Sequence, residues 1–214
     1  MQSFANKAGT SIVPAMIVAI AEHRQHLSDI DGLIGDGDHG INMDKGFQMC
    51  QPRLDPASQD MSASFRLLGE VLMDQIGGSM GPLYGVIFRS MARASKDAER
   101  IDAAIFLKML ELAEAKVREI GQCEEGDKTL LDVLAPARLA FEQQLGREED
   151  FSAALDAMAA AAAAGREATV GMVARKGRSS RLGERSRGVP DAGATSCCLL
   201  LSTMAREIQA LLRG

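Results

Sequence analysis

Apolar residues recur every three to four positions along most of the chain, with charged residues between them. This spacing is typical of amphipathic helices that bury one face. The segment between Ile101 and Ile120 illustrates the pattern, and Asp102 near its start complements the helix dipole. Its predicted inner face contains Ile105, Leu107, Met109, Leu112, Ala113, Lys116 and Val117, and its other positions include Lys108, Glu111, Glu114 and Arg118.

The chain is rich in Ala, Leu and Met and has few alternating β-branched segments, which favours helices throughout. We therefore predict an all-α fold, a bundle of eight helices in a single domain spanning residues 1–214. The helices are predicted at about 9–29, 43–51, 61–77, 82–97, 102–120, 129–145, 150–175 and 193–212.

Four connecting segments contain more Gly, Asp and Ser than simple turns require. They are Asp31–Asn42, Gly77–Gly85, Gly121–Thr129 and Lys176–Thr195. Loops at one end of a helical bundle can meet at a single site. These segments are therefore the candidate functional regions.

Composition narrows the function classes. Apolar residues make up 46% and charged residues 25% of the chain, as in an ordinary globular protein. The net charge of −5 and the scarcity of aromatic residues argue against nucleic acid as a partner. The four cysteines form no CxxC pair, and no apolar run reaches membrane-spanning length, so we expect reduced thiols, no membrane association and a cytoplasmic location.

The segment 31–43 provides the strongest chemical signal. Asp31, Asp36 and Asp38 lie within eight residues and are separated by glycines. A divalent cation would relieve their mutual repulsion, and an all-oxygen site suits Mg²⁺, whose coordination is usually completed by substrate phosphates. The spacing does not match a calcium-binding EF-hand loop. The alternative from spacing alone is a solvated acidic turn ahead of a helix.

A second segment, Gly77–Leu83, is a glycine-rich turn with Pro82 in the first turn of a helix. Free amides at a helix start can bind phosphate, although the segment lacks the Lys of a Walker A loop. An ordinary helix–helix turn is the alternative. For Asp191 and Thr195 an N-cap role is the alternative to ligand binding, and Arg178 and Arg185 are either phosphate ligands or solvated.

His39 lies within the acidic segment and is the histidine best placed to contact a phosphate or a ligating carboxylate. No Ser/His/Asp or Cys/His arrangement indicates a covalent nucleophile, so no catalytic residue is assigned. Phosphoryl transfer needs mainly positioning and charge neutralisation, and is compatible with this absence.

Together these segments resemble the L subunit, the nucleotide-binding component, of dihydroxyacetone kinases. The resemblance covers nearly the whole chain in family order. The matching motifs are GDGDHGINM at 35–43, GGSMGPLYG at 77–85, GDKTLLDV at 126–133 and ARKGRSSRLGERSRGVPDAGATS at 174–196.

The resemblance implies a barrel of eight antiparallel helices with ADP or ATP held at one end. It implies that Asp31, Asp36 and Asp38 bind two Mg²⁺ ions. The positions implied to contact or line the nucleotide are His39, Gly40, Asn42, Met43, Gly78, Ser79, Met80, Gly121, Thr129, Leu130, Arg178, Asp191, Ala192 and Gly193. One departure concerns Met80, which stands where many relatives carry Ser; a thioether donates no hydrogen bond, so backbone amides or Ser79 must replace that contact.

In this family the ketose is held by a separate K subunit or domain. The predicted single domain leaves no room for that domain, so we expect a K subunit as partner. The phosphoryl donor is either a phosphotransferase-system protein that rephosphorylates bound ADP or exchanging ATP. The ketose is dihydroxyacetone or another short ketose such as erythrulose. A nucleotide-loaded regulatory module without catalysis and the nucleotide domain of fatty-acid kinases are the alternatives, and the sequence leaves homodimer formation open.

Overall fold

The computed structural model describes residues 2–214, within which the chain forms eight α-helices. They are α1 (Ile12–Ile34), α2 (His39–Cys50), α3 (Met61–Gln75), α4 (Met80–Ser95), α5 (Ala103–Gly121), α6 (Leu131–Glu148), α7 (Phe151–Ala168) and α8 (Ala192–Arg213). Two short strands, β1 (Ser3–Ala5) and β2 (Arg100–Asp102), pair antiparallel, with Phe4 opposite Ile101. No helix in residues 2–214 is long and apolar enough to cross a membrane.

The helices form a closed ring. Each helix packs against the next along the chain, and α8 packs against both α7 and α1. Because successive helices run in opposite directions, α2, α4, α6 and α8 all begin at one end of the barrel, called here the site end. At the opposite end, called the far end, α3, α5 and α7 begin and the small sheet lies.

Two groups of phenylalanines fill the middle of the barrel. The rings of Phe47 and Phe65 lie 6.0 and 5.7 Å from that of Phe88. The second group joins Phe106 to Phe141 at 5.3 Å and to Phe151 at 5.8 Å. These separations suit edge-on and tilted aromatic packing, which adds to the gain from burial. The core therefore holds the helix ends in fixed relative positions.

Helices α3 and α4 are in close contact where each presents a glycine. A Cβ added to Gly69 would lie 2.8 Å from the Gly85 carbonyl oxygen, and one added to Gly85 would lie 3.0 Å from the Gly69 carbonyl oxygen. A side chain at either position would push the helices apart. This contact fixes the direction of α4, whose first turn lies at the site end.

The structure confirms the all-α prediction and all eight helices, with different boundaries. Helix α1 continues to Ile34, so Asp31 lies in its last helical turn and not in a loop. Helix α7 ends at Ala168, and the predicted loop after it contains a 3₁₀ segment, Arg178–Ser186. Glu114, assigned to the polar positions of α5, is buried.

The burial of Glu114 has a local cause. Its two carboxylate oxygens each accept a hydrogen bond of 2.9 Å, one from Arg118 and one from Arg138 on α6. Burial alone would raise the pKa of Glu114, but the two guanidinium partners outweigh it and hold the pKa below its ordinary value. A paired carboxylate can therefore occupy the α5–α6 contact.

Candidate functional site

Three aspartates converge at the junction of α1 and α2. Asp31 lies in the last turn of α1, and Asp36 and Asp38 lie in the connection that precedes α2. One carboxylate oxygen from each lies within 4.8 Å of those of the other two. Such a set fits the preference of Mg²⁺ for a few carboxylates with the remaining positions left to water or phosphate.

The loop around this cluster is held by backbone contacts. The Gly35 amide donates to the Asp31 carbonyl oxygen at 2.5 Å, and the His39 amide lies 3.3 Å from Asp31 Oδ2. Gly37 has a φ of 76°, a left-handed conformation that glycine adopts without a Cβ penalty. The Arg178 guanidinium, which arrives from the distant 3₁₀ segment, forms an ion pair with Asp36 and lies 3.9 Å from Asp38.

Helices α2, α4 and α8 all begin beside these carboxylates. The N-cap residues of α2 and α4, Asp38 and Ser79, make no side-chain capping hydrogen bond. Amides in the first turn of a helix have no acceptor within the helix, and the helix dipole makes this end positive. The uncapped helix starts therefore offer donors to an anion such as a phosphate.

The carboxylates and helix starts border one cavity of about 660 Å³. Its lining combines the three aspartates with Lys176 and Arg178. The same lining includes the apolar side chains Leu83, Ile120 and Leu130. Ile120 is 46% exposed although it is large and apolar. A ligand with a charged part and a flat apolar part would match this mixed lining.

His39 is connected to α4 and α8 by hydrogen bonds. Its Nε2 lies 2.9 Å from Ser196 Oγ, which lies 2.6 Å from the Tyr84 hydroxyl. Both hydroxyls can donate to the Gly193 carbonyl oxygen, at 3.0 Å from Tyr84 and 3.1 Å from Ser196. Burial lowers the pKa of His39 to about 4 and outweighs the opposing effect of Asp31, so the imidazole is neutral near pH 7.

Asp191 joins the last helix to the site. Its carboxylate accepts a hydrogen bond from the Ala194 amide at 2.8 Å, and its own amide donates to Thr169 Oγ1 at 3.0 Å. Burial raises the pKa of Asp191 to about 6, against the lowering effects of the Ala194 bond and of Lys128. The N-cap reading and the ligand-site reading of Asp191 are thus compatible, since this capping residue also lines the cavity.

The structure brings most of the predicted residues to this cavity. Gly40 and Met43 are the predicted positions absent from its lining. Met43 is fully buried in the core, and Gly40 is where α2 passes closely over α1, since an added Cβ would lie 2.8 Å from the Ser28 amide nitrogen. The predicted residues that line the cavity are Asp31, Asp36, Asp38, His39, Asn42, Gly78, Ser79, Met80, Gly121, Thr129, Leu130, Arg178, Asp191, Ala192 and Gly193.

Sequence reasoning missed three polar residues at the site. Tyr84 and Ser196 complete the hydrogen-bond chain from His39, and Lys128 borders the cavity from the turn before α6. Tyr84 is the only tyrosine in the chain, and Ser196 is the last residue of the motif at 174–196. All three residues lie within the motifs named above, which could have marked them as candidates. Their spacing does not show which residues they contact.

Comparison with known proteins gives consistent results. The DAK2 domain family model matches residues 33–206. The ADP-binding subunit DhaL of PEP-dependent dihydroxyacetone kinase 1 from Listeria innocua is 37% identical over 86% of this chain and 88% of its own length. The corresponding DhaL subunit from Escherichia coli is 36% identical over 85% of this chain and 87% of its own length.

Longer relatives match over a smaller share of their length. A D-erythrulose kinase from Mycolicibacterium smegmatis is 31% identical over 93% of this chain, which corresponds to 36% of that enzyme. The crystal structure of the native dihydroxyacetone kinase of C. freundii has the same fold, with a TM-score of 0.72 and 24% identity over 96% of this chain and 35% of that one. A second structure of that kinase, in complex with AMP-PNP and Mg²⁺, has a TM-score of 0.70.

The family match over most of the chain and the two DhaL relatives at near-complete mutual coverage lead to one conclusion. The chain belongs to the DAK2 domain family and is of the type found in the DhaL subunits of dihydroxyacetone kinases.

Proposed function

We propose that this chain is the nucleotide-binding L subunit of a dihydroxyacetone kinase and holds ADP through Mg²⁺. The observation that carries the proposal is one cavity in which three carboxylates face the uncapped starts of α2 and α4. Carboxylates and helix starts attract opposite charges, so together they fit a cation bridged to an anion. A magnesium–diphosphate group has this arrangement of charge.

Each part of the cavity then has a role. Asp31, Asp36 and Asp38 hold Mg²⁺, and we propose two ions, the number that the family resemblance implies. Backbone amides at the uncapped starts of α2 and α4 and the Arg178 guanidinium bind phosphate oxygens. The base packs against the apolar lining residues Leu83, Ile120 and Leu130. When bound, Mg²⁺ neutralises charge on the phosphate oxygens, and the protein supplies the positioning.

The His39 network contributes orientation without charge. Because His39 is neutral near pH 7, it adds no positive charge next to the metal ligands. Ser196, itself held by Tyr84, fixes the ring through its contact with Nε2 and so leaves the other ring nitrogen for a ligand or water. We propose that this chain positions the phosphates and that no residue of it forms a covalent intermediate.

We further propose that residues 1–214 act as one nucleotide-binding domain, with a separate K subunit holding the ketose. The partner would dock at the site end, since only there can a terminal phosphoryl group meet its acceptor. The DhaL relatives from L. innocua and E. coli are named as subunits of PEP-dependent enzymes. On that basis we propose that ADP stays bound and is rephosphorylated by a phosphotransferase-system protein. Neither residues 2–214 nor the relatives support the homodimer that the sequence left open.

Isothermal titration calorimetry on nucleotide-stripped protein tests the binding claim. We expect ADP to bind with Mg²⁺ present and to lose most of its affinity in excess EDTA. Folded protein, verified by circular dichroism, that takes up neither ADP nor ATP with Mg²⁺ would refute the proposal.

Reconstitution tests the assignment to a kinase. The chain is mixed with a DhaL-partner K subunit from the same genome, and phosphorylation of dihydroxyacetone is followed with ATP or with PEP and the phosphotransferase components. We expect phosphorylation only when both subunits are present. Robust kinase activity of the isolated chain would contradict the division of labour.

A second candidate substrate is erythrulose. Relatives from M. smegmatis and Pectobacterium atrosepticum are named erythrulose kinases, and they match 93% and 94% of this chain. They are longer proteins of which the chain spans about a third. Offering both ketoses to the reconstituted enzyme and comparing kcat/KM decides between them.

A further inference from the structure

Lys128 is a buried lysine whose donors all point to one neighbouring segment. Its side chain is 1% exposed, and its Nζ donates to the carbonyl oxygens of Ser186 at 2.5 Å, Val189 at 2.7 Å and Met172 at 3.3 Å. An ammonium group has three N–H donors, so these contacts use all of them. Lys128 borders the cavity, yet its ammonium group is committed to the protein backbone.

Residues 172–189, called here the covering segment, receive these bonds. Lys176, Gly177, Arg178 and Ser179 within it line the cavity, and Arg178 reaches Asp36. The covering segment therefore forms one wall of the cavity.

The covering segment has little core of its own. Only two of its residues, Ala174 and Ser186, are buried. Its own backbone and hydroxyl contacts include the Ala174 amide to Ser186 Oγ at 2.9 Å and the Gly188 amide to the Val170 carbonyl oxygen at 2.8 Å. A segment with few buried side chains depends on hydrogen bonds for its position.

The turn that carries Lys128 is itself fixed. The Asp132 carboxylate accepts hydrogen bonds from the Gly126 amide at 2.5 Å and the Thr129 amide at 2.7 Å. Lys128 has a φ of 62°, a left-handed conformation that a non-glycine residue keeps only where its surroundings impose it. The Asp127 carbonyl oxygen also accepts from the Arg175 amide at 3.0 Å. The turn is thus a rigid support for the covering segment.

Burying the ammonium group has an electrostatic cost. Burial lowers the pKa of Lys128, and the nearby Asp191 opposes this effect. Three carbonyl acceptors stabilise the ammonium group. Removal of the ammonium group by substitution would leave those acceptors without this donor. The bonds therefore stabilise both partners, and the closed position of the segment depends on them.

We propose that Lys128 is a positioning residue that anchors the covering segment over the bound nucleotide and thereby sets how slowly the nucleotide leaves. The inference rests on the proposed function, since it takes Mg²⁺–ADP as the occupant of the cavity. A ligand beneath a closed segment leaves only when that segment opens. A strong anchor would keep ADP in place as a resident cofactor, and a weak one would let it exchange.

The test is Lys128→Met, which retains the length of the side chain and removes its donors. Release of a fluorescent ADP analogue with Mg²⁺ is followed by stopped-flow displacement. We expect the dissociation rate constant to rise by on the order of tenfold or more, with a smaller change in the association rate constant. Lys116→Met is the matched control, because its exposed ammonium group pairs only with Glu119 on its own helix.

Limited proteolysis distinguishes an anchor from a direct phosphate ligand. The covering segment contains trypsin sites at Arg175, Lys176, Arg178, Arg181, Arg185 and Arg187. In nucleotide-free Lys128→Met we expect cleavage at these sites to accelerate by on the order of tenfold while the rest of the chain stays resistant. Faster nucleotide release with unchanged cleavage would overturn the proposal, since Lys128 would then act on the ligand. Unchanged release would overturn it as well.

Hydrogen exchange on the wild-type protein keeps the proposal testable if Lys128→Met does not fold. In nucleotide-free protein the amides of Arg175 and Gly188 should be protected, because the anchored segment is already closed. Exchange at unprotected rates would overturn the anchor. If wild-type protein bound no Mg²⁺–ADP, the proposed function would fail, but proteolysis and exchange would still report on the anchor separately.

Discussion

Helices that begin at the far end of the barrel have capped first turns, whereas α2 and α4, which begin at the site end, do not. At the far end, Asp60, Asp102 and Asp150 cap α3, α5 and α7, each accepting a hydrogen bond from the amide three residues ahead at 2.7–3.0 Å. At the site end, the N-cap residues of α2 and α4 make no such bond. One carboxylate oxygen of Asp38 lies instead within 4.8 Å of those of Asp31 and Asp36.

N-cap positions therefore serve two purposes in this barrel: some stabilise a helix, and others leave its first amides free for a ligand. A capping side chain satisfies an orphan amide and stabilises the helix by about 1 kcal/mol. An uncapped start leaves that amide to water or to a ligand. Helix α8 combines the two, because Asp191 caps it and lines the cavity. Substitutions of N-cap residues should therefore change mainly the free energy of unfolding at the far end and mainly ADP affinity at the site end.

The largest effect is expected for Asp38→Asn. Loss of one of three clustered carboxylates weakens the proposed magnesium site, and we expect Mg²⁺-dependent ADP affinity to fall on the order of a hundredfold, or about 2.8 kcal/mol. The metal-free protein should become slightly more stable, because repulsion among the carboxylates decreases. Calorimetry and urea denaturation measure the two quantities.

Asp74→Asn is the control for this prediction, since Asp74 is an exposed acidic residue near the end of α3 and does not line the cavity. Equal loss of affinity in both variants would mean that net charge, and not the carboxylate cluster, controls binding. The contrast between cavity and surface aspartates would then fail.

The next effect concerns the pH dependence of stability at Asp191. Its folded-state pKa of about 6 lies above the ordinary value of 3.8, so the folded protein binds the proton more tightly. The stabilisation is complete below about pH 4 and is lost as the pH rises through about 6. Asp191→Asn cannot titrate and still caps α8, so its stability relative to wild type should increase by about 1–2 kcal/mol from pH 4 to pH 7, after allowance for solvent screening.

Urea denaturation without Mg²⁺ or nucleotide, repeated across this pH range, measures the effect. If the free energies of unfolding of wild type and Asp191→Asn changed in parallel with pH, burial would not destabilise the charged form of Asp191. The distinction between α8 and the far-end helices would then disappear.

A smaller effect is expected at the far end for Asp150→Ala. The variant loses the 3.0 Å bond from the Ala153 amide, and we expect the free energy of unfolding to fall by about 1 kcal/mol. ADP affinity should not change, because the cap lies a barrel length from the cavity. Asp150→Asn should restore the stability, since Asn caps equally well. A change in affinity would mean that the two ends are coupled.

The smallest effect is expected for Ser79→Ala. Because Ser79 makes no capping bond, the free energy of unfolding should change by less than about 0.5 kcal/mol. If its hydroxyl replaces the donor that Met80 lacks, ADP affinity should fall by about threefold to tenfold, the range for one hydrogen bond. Unchanged affinity would assign phosphate binding at α4 to the backbone alone.

The helices could be predicted because their periodicity is local, and the site could be predicted in part for the same reason. The three aspartates and the glycine-rich turn are clustered in sequence, so composition marks them. Asp31 was assigned to a loop because it lies within the glycine-containing segment, but the last turn of α1 includes it. The acidic cluster therefore combines a carboxylate on a rigid helix with two on a loop.

Residues that depend on distant partners could not be predicted. Glu114 has the spacing of a surface residue, and only its contact with Arg138 on the next helix explains its burial. Lys128 lies in the predicted polar segment Gly121–Thr129, yet its three acceptors lie 44 to 61 residues away. The hydrogen bond between His39 and Ser196 joins residues that are 157 positions apart in the sequence. Pairings of this kind follow from the closed ring of helices, which no local pattern encodes.

The positions of residue 2 and of the C-terminal end of α8 limit how this barrel can be joined to another protein. Residue 2 adjoins the small sheet and α7, and α8 runs away from the cavity over 22 residues, about 33 Å. A reporter or affinity tag fused at either end would leave the mouth of the cavity free. A tether meant to deliver a second domain to that mouth would have to run back along the barrel, which takes at least about ten extended residues.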